Sequence, residues 1–254
     1  MKILAIDTSG KQAGAAIMDE YITIGEILIN AQSGPKTWHH SEILMPAVER
    51  LFALSGLTVG DMDYVAYTSG PGSFTGIRIG AATALGLARS INRPAIPVPT
   101  LDALAYNMLC ANDGTVVVPL LDARREQVYG AVYRKDTDGL VRLTDYFATS
   151  IDEALEIVKH VIVEGLEPQS CIQFLGDGAD ANKSIIQASH FMACFAPINA
   201  NRQRPASVGL CAIHQHKTSA KAKSESKCEA NPEASQVQMI YVRDPQAVRS
   251  LKKP

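Results

Sequence analysis

The sequence has no C-x-x-C pair. Its five cysteines, Cys110, Cys171, Cys194, Cys211 and Cys228, are odd in number and far apart. That spacing excludes the usual zinc and thioredoxin-type motifs and reads as reduced, structural thiols. An excess of either charge is lacking too: 24 Lys and Arg against 26 Asp and Glu leave a formal net charge of −2. No overall basic field can hold nucleic acid by counterion release, so any RNA contact has to be local or come through a partner. The apolar run in residues 1–7 meets Asp7 too soon for a signal-peptide core or a membrane span, and a cytoplasmic protein is expected. No G-x-S-x-G elbow occurs, and no cysteine stands in a recognisable nucleophile context. Histidines form no metal-ligand pattern. His39 and His40 are adjacent and cannot share a helix face, and they read as part of a helix cap with Ser41 or His40 as the capping residue. His160, His190, His214 and His216 read as surface residues.

What is present suits two compact units: 254 residues, 46% hydrophobic and 20% charged. Alternating segments at 2–6, 13–18 and 21–29 predict an antiparallel meander. Residues 41–55 carry apolar side chains at helical spacing, with Gly56 as C-cap and Pro46 near the start. A strand at 63–68, a helix at 76–91 and a strand at 94–98 complete the first unit. The order β-β-β-α-β-α-β is that of a ribonuclease-H-like lobe of the actin-like ATPase (ASKHA) superfamily. The second unit predicts a helix at 101–109, strands at 116–121, 127–134 and 140–148, a helix at 151–161 and a strand at 171–175. A last helix at 207–216 returns toward the first unit. The expected division is therefore 1–100, 101–216, and a flexible loop and tail at 217–254, with 217–235 too poor in apolar residues to order itself. Within that tail, 237–242 reads as a short strand, and 249–254 as a mobile basic end.

Two stretches invite chemistry. Asp7-Thr8-Ser9-Gly10 follows the first strand where this superfamily places a phosphate loop, so Asp7, Thr8 and Ser9 are candidate nucleotide contacts; a plain tight turn is the competing reading. Ser69-Gly70-Pro71-Gly72-Ser73-Phe74-Thr75-Gly76 runs from a strand through a glycine turn into a helix, a context for anion binding with Arg78 as helper. Its G-x-G-x-x-x-G spacing fits neither the dinucleotide fingerprint nor a P-loop. Inside the helix, Gly80 and Gly86 each cost about 1 kcal/mol relative to alanine. Gly76, Gly80 and Ala84 recur every four residues as a smooth strip, which either packs on the chain's own sheet or meets a partner helix. Asp122-Ala123-Arg124 reads as a strand end with a local ion pair.

These segments, with His40-Ser41-Glu42-Ile43-Leu44-Met45-Pro46, Val128-Tyr129 and Tyr241-Val242-Arg243, resemble the TsaB (YeaZ) family of tRNA threonylcarbamoyladenosine biosynthesis. The resemblance implies a non-catalytic subunit that binds the related catalytic subunit TsaD, together with the ATPase TsaE, for threonylcarbamoyl transfer to adenosine 37 of tRNA. It implies pairing with a second copy through the same helices when TsaD is absent, and tRNA contact only through the complex. The catalytic relative carries an H-x-x-x-H metal pair just after its first lobe. This chain has Pro99-Thr100-Leu101-Asp102-Ala103-Leu104-Ala105 there, so neither metal nor catalytic residues are expected. No cofactor is required by the subunit, and ATP or ADP could sit at the complex interface.

By position, the docking surface implied is Ser41, Glu42, Met45, Glu49 and Phe52 on the first helix, with Gly72, Phe74, Thr75, Gly76, Arg78, Gly80, Thr83 and Ala84 on the turn and second helix. On this reading Gly80→Leu blocks association and leaves the fold intact. The alternative is a free-standing ATPase or phosphotransferase using Asp7, Thr8 and a nucleoside site near Gly176-Asp177-Gly178.

Overall fold

The computed structural model describes residues 1–32, 38–165, 171–189, 192–225, 240 and 242. In chain order the first elements are β1 (Lys2–Asp7), β2 (Gln12–Asp19), β3 (Thr23–Asn30), α1 (His40–Ser55), β4 (Tyr64–Thr68), α2 (Phe74–Ser90), β5 (Ala95–Val98) and α3 (Thr100–Ala105). Then come β6 (Val116–Asp122), β7 (Gln127–Gly130), β8 (Tyr133–Asp136), β9 (Gly139–Arg142), β10 (Phe147–Ser150), α4 (Ile151–Gly165), β11 (Ile172–Leu175), α5 (Asp177–Ala181), α6 (Lys183–Ala188), β12 (Ala193–Phe195) and α7 (Pro205–Glu225).

The first unit comprises Met1–Tyr106 and α7. Its sheet runs β3-β2-β1-β4-β5, antiparallel across β3-β2-β1 and parallel across β1-β4-β5, the ribonuclease-H-like arrangement expected. Alternation along the strands sends side chains to two faces. On one face Leu4, Ile6, Ala15, Ile17, Val65 and Tyr67 pack against Leu44, Val48 and Leu51 of α1 and Ala81, Ala84 and Ala88 of α2. On the other, Ala16 and Met18 meet Ala206 and Leu210 of α7. The glycine at 209 is what lets α7 lie so near the sheet, because a Cβ there would strike the Met18 sulfur.

Local chemistry sets the helix ends. The N-cap of α1 is His39, a correction to the expected Ser41 or His40: the Glu42 carboxylate reaches back to accept the His39 backbone N–H at 2.8 Å. Gly56 closes the helix in the left-handed region, φ 70°, its N–H donating to the Phe52 carbonyl. α7 opens on Pro205, and its Ala206 N–H donates to Glu26 on β3, which also pairs with Arg204.

Helix α7 runs nine residues past His216, so residues 217–225, expected as flexible loop, are helical. Lys and Ala favour helix, and Lys217 pairs with Glu20 at 2.7 Å. The helix belongs with the first unit, and the division falls after Tyr106, not after residue 100. The expected surface residues His214 and His216 are half-buried: the Tyr64 hydroxyl lies 2.8 Å from His216 Nε2, and His214 meets the Tyr106 ring edge-on. The remainder of 217–235, the expected strand at 237–242 except Ile240 and Val242, the basic tail and His190 lie outside the described residues.

The second unit, Asn107–Arg202, holds a seven-stranded sheet ordered β10-β7-β6-β11-β12, with β8 on β6 and β9 on β8. The single strand expected at 127–134 breaks into β7 and β8, although both keep one register on β6. The break falls at Ala131, opposite Pro119, which has no N–H to give the ladder. The strand expected at 140–148 also divides: the Val132 N–H turns to the Thr144 hydroxyl. Helices α5 and α6 and strand β12 were not expected. Parallel pairing of β11 with β12 brings together Cys171 and Cys194, which are joined as a disulfide, correcting the expectation that all five thiols are reduced. Among the described residues no helix is long and apolar enough to cross a membrane.

Candidate docking face and the turn beneath it

The candidate nucleotide contacts lie at the carboxyl end of β1, and all three are buried: Asp7 2%, Thr8 0% and Ser9 2% exposed. Their groups are used within the chain. Thr8 Oγ1 donates to the Gly76 carbonyl at 2.7 Å. The Ser9 N–H and hydroxyl both donate to Asp7 Oδ1, at 2.8 and 2.7 Å, and Thr68 Oγ1 approaches the same oxygen at 3.4 Å. The Ser9 carbonyl takes the Ser73 N–H at 2.7 Å. Asp7-Thr8-Ser9 is therefore a structural turn bound to the start of α2, and its hydroxyls do not face outward as a phosphate cradle requires. Of the two readings open for this segment, the hydrogen bonds favour the tight turn. Burial pushes the Asp7 carboxyl up to about 6, against the opposing pull of the Ser9 and Thr68 donors.

The glycines above this turn have the same explanation. A Cβ on Gly76 would collide with the Thr8 carbonyl, and one on Gly80 with the Thr8 hydroxyl. Gly76, Gly80 and Ala84 are all buried in the chain's own core. The smooth strip thus packs on β1, which corrects the expectation that these three residues are themselves the partner contact. Gly72, at φ 154°, lies against the Ser9 backbone. His40, the first residue of α1, sits between the Gly10 backbone and Gly76, and burial followed by the neighbouring His39 lowers its pKa.

The remaining candidates do share an outward face. Ser41, Glu42, Met45 and Glu49 on α1 are exposed, as are Gly72, Phe74, Thr75 and Arg78; Phe52 and Thr83 are half-buried. Apolar surface is present there, with Met45 38% and Phe74 47% exposed. The Arg78 guanidinium stacks on the Phe74 ring at 3.8 Å, part of this face instead of an anion clamp. Ala82 and Gly86, one and two turns beyond Arg78, are also exposed, and nothing lies within 4 Å of a Cβ built on Gly86. Ala82 and Gly86 lie within the helix expected to dock and were not singled out by name; helical spacing from Arg78 finds them.

In the second unit the rival nucleoside turn is likewise occupied. The Gly176 N–H donates to Asn201 at 2.7 Å, Asp177 accepts the Asp122 N–H, and a Cβ on Gly178 would crowd the backbone of Leu120 and Leu121. Asp122 and Arg124 form the expected local pair, with N···O at 3.6 Å.

A family model described as TsaD: tRNA N6-adenosine threonylcarbamoyltransferase matches residues 35–250. The tRNA threonylcarbamoyladenosine biosynthesis protein TsaB of Bacillus subtilis is 33% identical over 187 residues, 74% of this chain and 76% of that protein. TsaB of Escherichia coli is 36% identical over 140 residues, 55% of this chain; the match spans little more than half of that relative, 58%. YeaZ from Pseudomonas aeruginosa shares the fold with a TM-score of 0.67 at 21% identity, over 94% of this chain and 99% of that one.

Proposed function

The chain belongs to the TsaB (YeaZ) family, within the wider group matched by the tRNA N6-adenosine threonylcarbamoyltransferase model, and from this we propose that it serves tRNA threonylcarbamoyladenosine biosynthesis as a non-catalytic docking subunit. Its partner is TsaD, joined by TsaE, acting on adenosine 37 in the cytoplasm; tRNA is met through the complex. The observation that carries the reading is the outward face of α1 and α2. Their inward residues already fill the core, yet Met45 on α1 and Phe74 on α2 stay exposed, and α2 also exposes the small Ala82 and Gly86. Large apolar residues next to small ones on paired helices suit close helix packing across an interface. A second copy of the chain can use the same face when TsaD is absent.

The absence of histidine from residues 99–105 supports a role without metal catalysis in this subunit. The rival, a free-standing ATPase or phosphotransferase, has less support: the hydroxyls of Thr8 and Ser9 are spent on Gly76 and Asp7. ATP or ADP at the complex interface is compatible with the reading and is not required by it. Size-exclusion chromatography of the chain alone and mixed with TsaD tests the proposal, with co-elution expected. Calorimetry with ATP and Mg²⁺ tests the rival: tight binding and turnover by the isolated chain would favour it.

A further inference from the structure

Three donors, the Ser9 N–H, the Ser9 hydroxyl and the Thr68 hydroxyl, converge on Oδ1 of Asp7, while Oδ2 is buried with no hydrogen-bond partner. Such an arrangement is costly for a carboxylate, because a buried ionised group loses its hydration on both oxygens. A serine or asparagine could close the same turn without that cost. The charge has one evident effect: hydrogen bonds to an ionised acceptor are roughly twice as strong as neutral ones. Here they fix Ser9, whose carbonyl holds the Ser73 N–H, and Ser73 is the N-cap of α2.

We propose that Asp7 is a positioning residue for the docking face, its ionised carboxylate clamping Ser9 so that Ser9 holds the first turn of α2, which carries Phe74 and Arg78. This rests on the docking reading above. Protonation at the unpartnered Oδ2 leaves Oδ1 a neutral acceptor and weakens all its bonds together, so the clamp loosens in acid. The titratable and charged groups around it are few. Glu26 on β3 raises the Asp7 pKa and is held by Arg204 and the first turn of α7; His40 on α1 faces Gly10 at the far side of the turn. With Asp7 titrating about 6, the change falls in the range pH 5–7.

The test is Asp7→Asn in the full chain, which keeps the shape and the accepting oxygen and removes the charge. Exchange of the Ser73 amide, read by NMR, is expected to be about fivefold faster than wild type at pH 7.5, the loss of charge assistance. At pH 5, where wild-type Asp7 is itself protonated, the two proteins are expected to converge. The melting temperature at pH 7.5 is not expected to fall, because the variant also relieves a buried charge. Ser9→Ala, which removes one of the donors, is expected to give an intermediate rate. Equal Ser73 exchange at pH 7.5 overturns the proposal, as does a difference that persists unchanged at pH 5. Convergence that disappears in a His40→Gln background also overturns it, since His40 would then be the sensor. Affinity for TsaD is measured in parallel and is expected to fall about fivefold with Asp7→Asn at pH 7.5. Faster exchange with unchanged affinity supports the clamp and counts against the docking reading instead.

Discussion

Thr8, just past the end of the first strand, donates its hydroxyl to the carbonyl of Gly76 on α2 at 2.7 Å, and the same hydroxyl occupies the space that a Cβ on Gly80 would need. The glycines are thus a condition of folding. Gly80→Ala is expected to destabilise the isolated chain by about 2 kcal/mol, as overpacking does. Gly76→Ala is expected to cost more, since the obstruction is backbone and cannot rotate away. Urea unfolding checks both. The expectation that Gly80→Leu spares the fold is reversed.

Gly86 sits on the same helix with open space around it. Gly86→Ala removes backbone freedom from the unfolded chain and meets no obstacle, so stability is expected to rise by about 0.5–1 kcal/mol. The same substitution, by adding a methyl to the outward face, is expected to weaken association with TsaD. A higher melting temperature with weaker association separates the two glycines cleanly.

The contrast between Gly80 and Gly86 marks what the sequence could disclose. Periodicity identified α1, α2 and the first sheet because their apolar residues face one way. It could not say which side of a glycine-alanine helix turns inward, since small side chains give no hydrophobic signal. Likewise Asp7-Thr8-Ser9 has the composition of both a phosphate loop and a tight turn, and only the reach of Thr8 to Gly76 decides. In the second unit, Ala131 looks like an ordinary strand residue until it is placed opposite Pro119. Beyond His216 the lysines read as a solvated loop, yet the helix continues, and Glu20, 197 residues earlier, supplies Lys217 with its partner.

Asp7 also predicts a pH dependence. Its folded-state pKa is raised to about 6 from 3.8, so the folded chain holds this proton more tightly than the unfolded one. The group's contribution is therefore most favourable below about 4, declines as pH rises toward 6, and is constant above it. Asp7→Asn is expected to gain stability over wild type across that window, reaching on the order of 3 kcal/mol at neutral pH. Unfolding curves of both proteins from pH 4 to 8 check the sign. A difference that shrinks with rising pH contradicts it.

The central claim concerns the outward face of α1 and α2, and Phe74 tests it most directly. Phe74 is 47% exposed and stands outside the core cluster, so Phe74→Asp is expected to change the stability of the isolated chain by less than about 1 kcal/mol. Titration calorimetry of wild type and Phe74→Asp against purified TsaD is the decisive measurement. The account predicts binding by the wild type and a loss of at least about tenfold in affinity for the folded variant, as expected for an aromatic anchor. A folded Phe74→Asp protein that binds TsaD as tightly as wild type would contradict it.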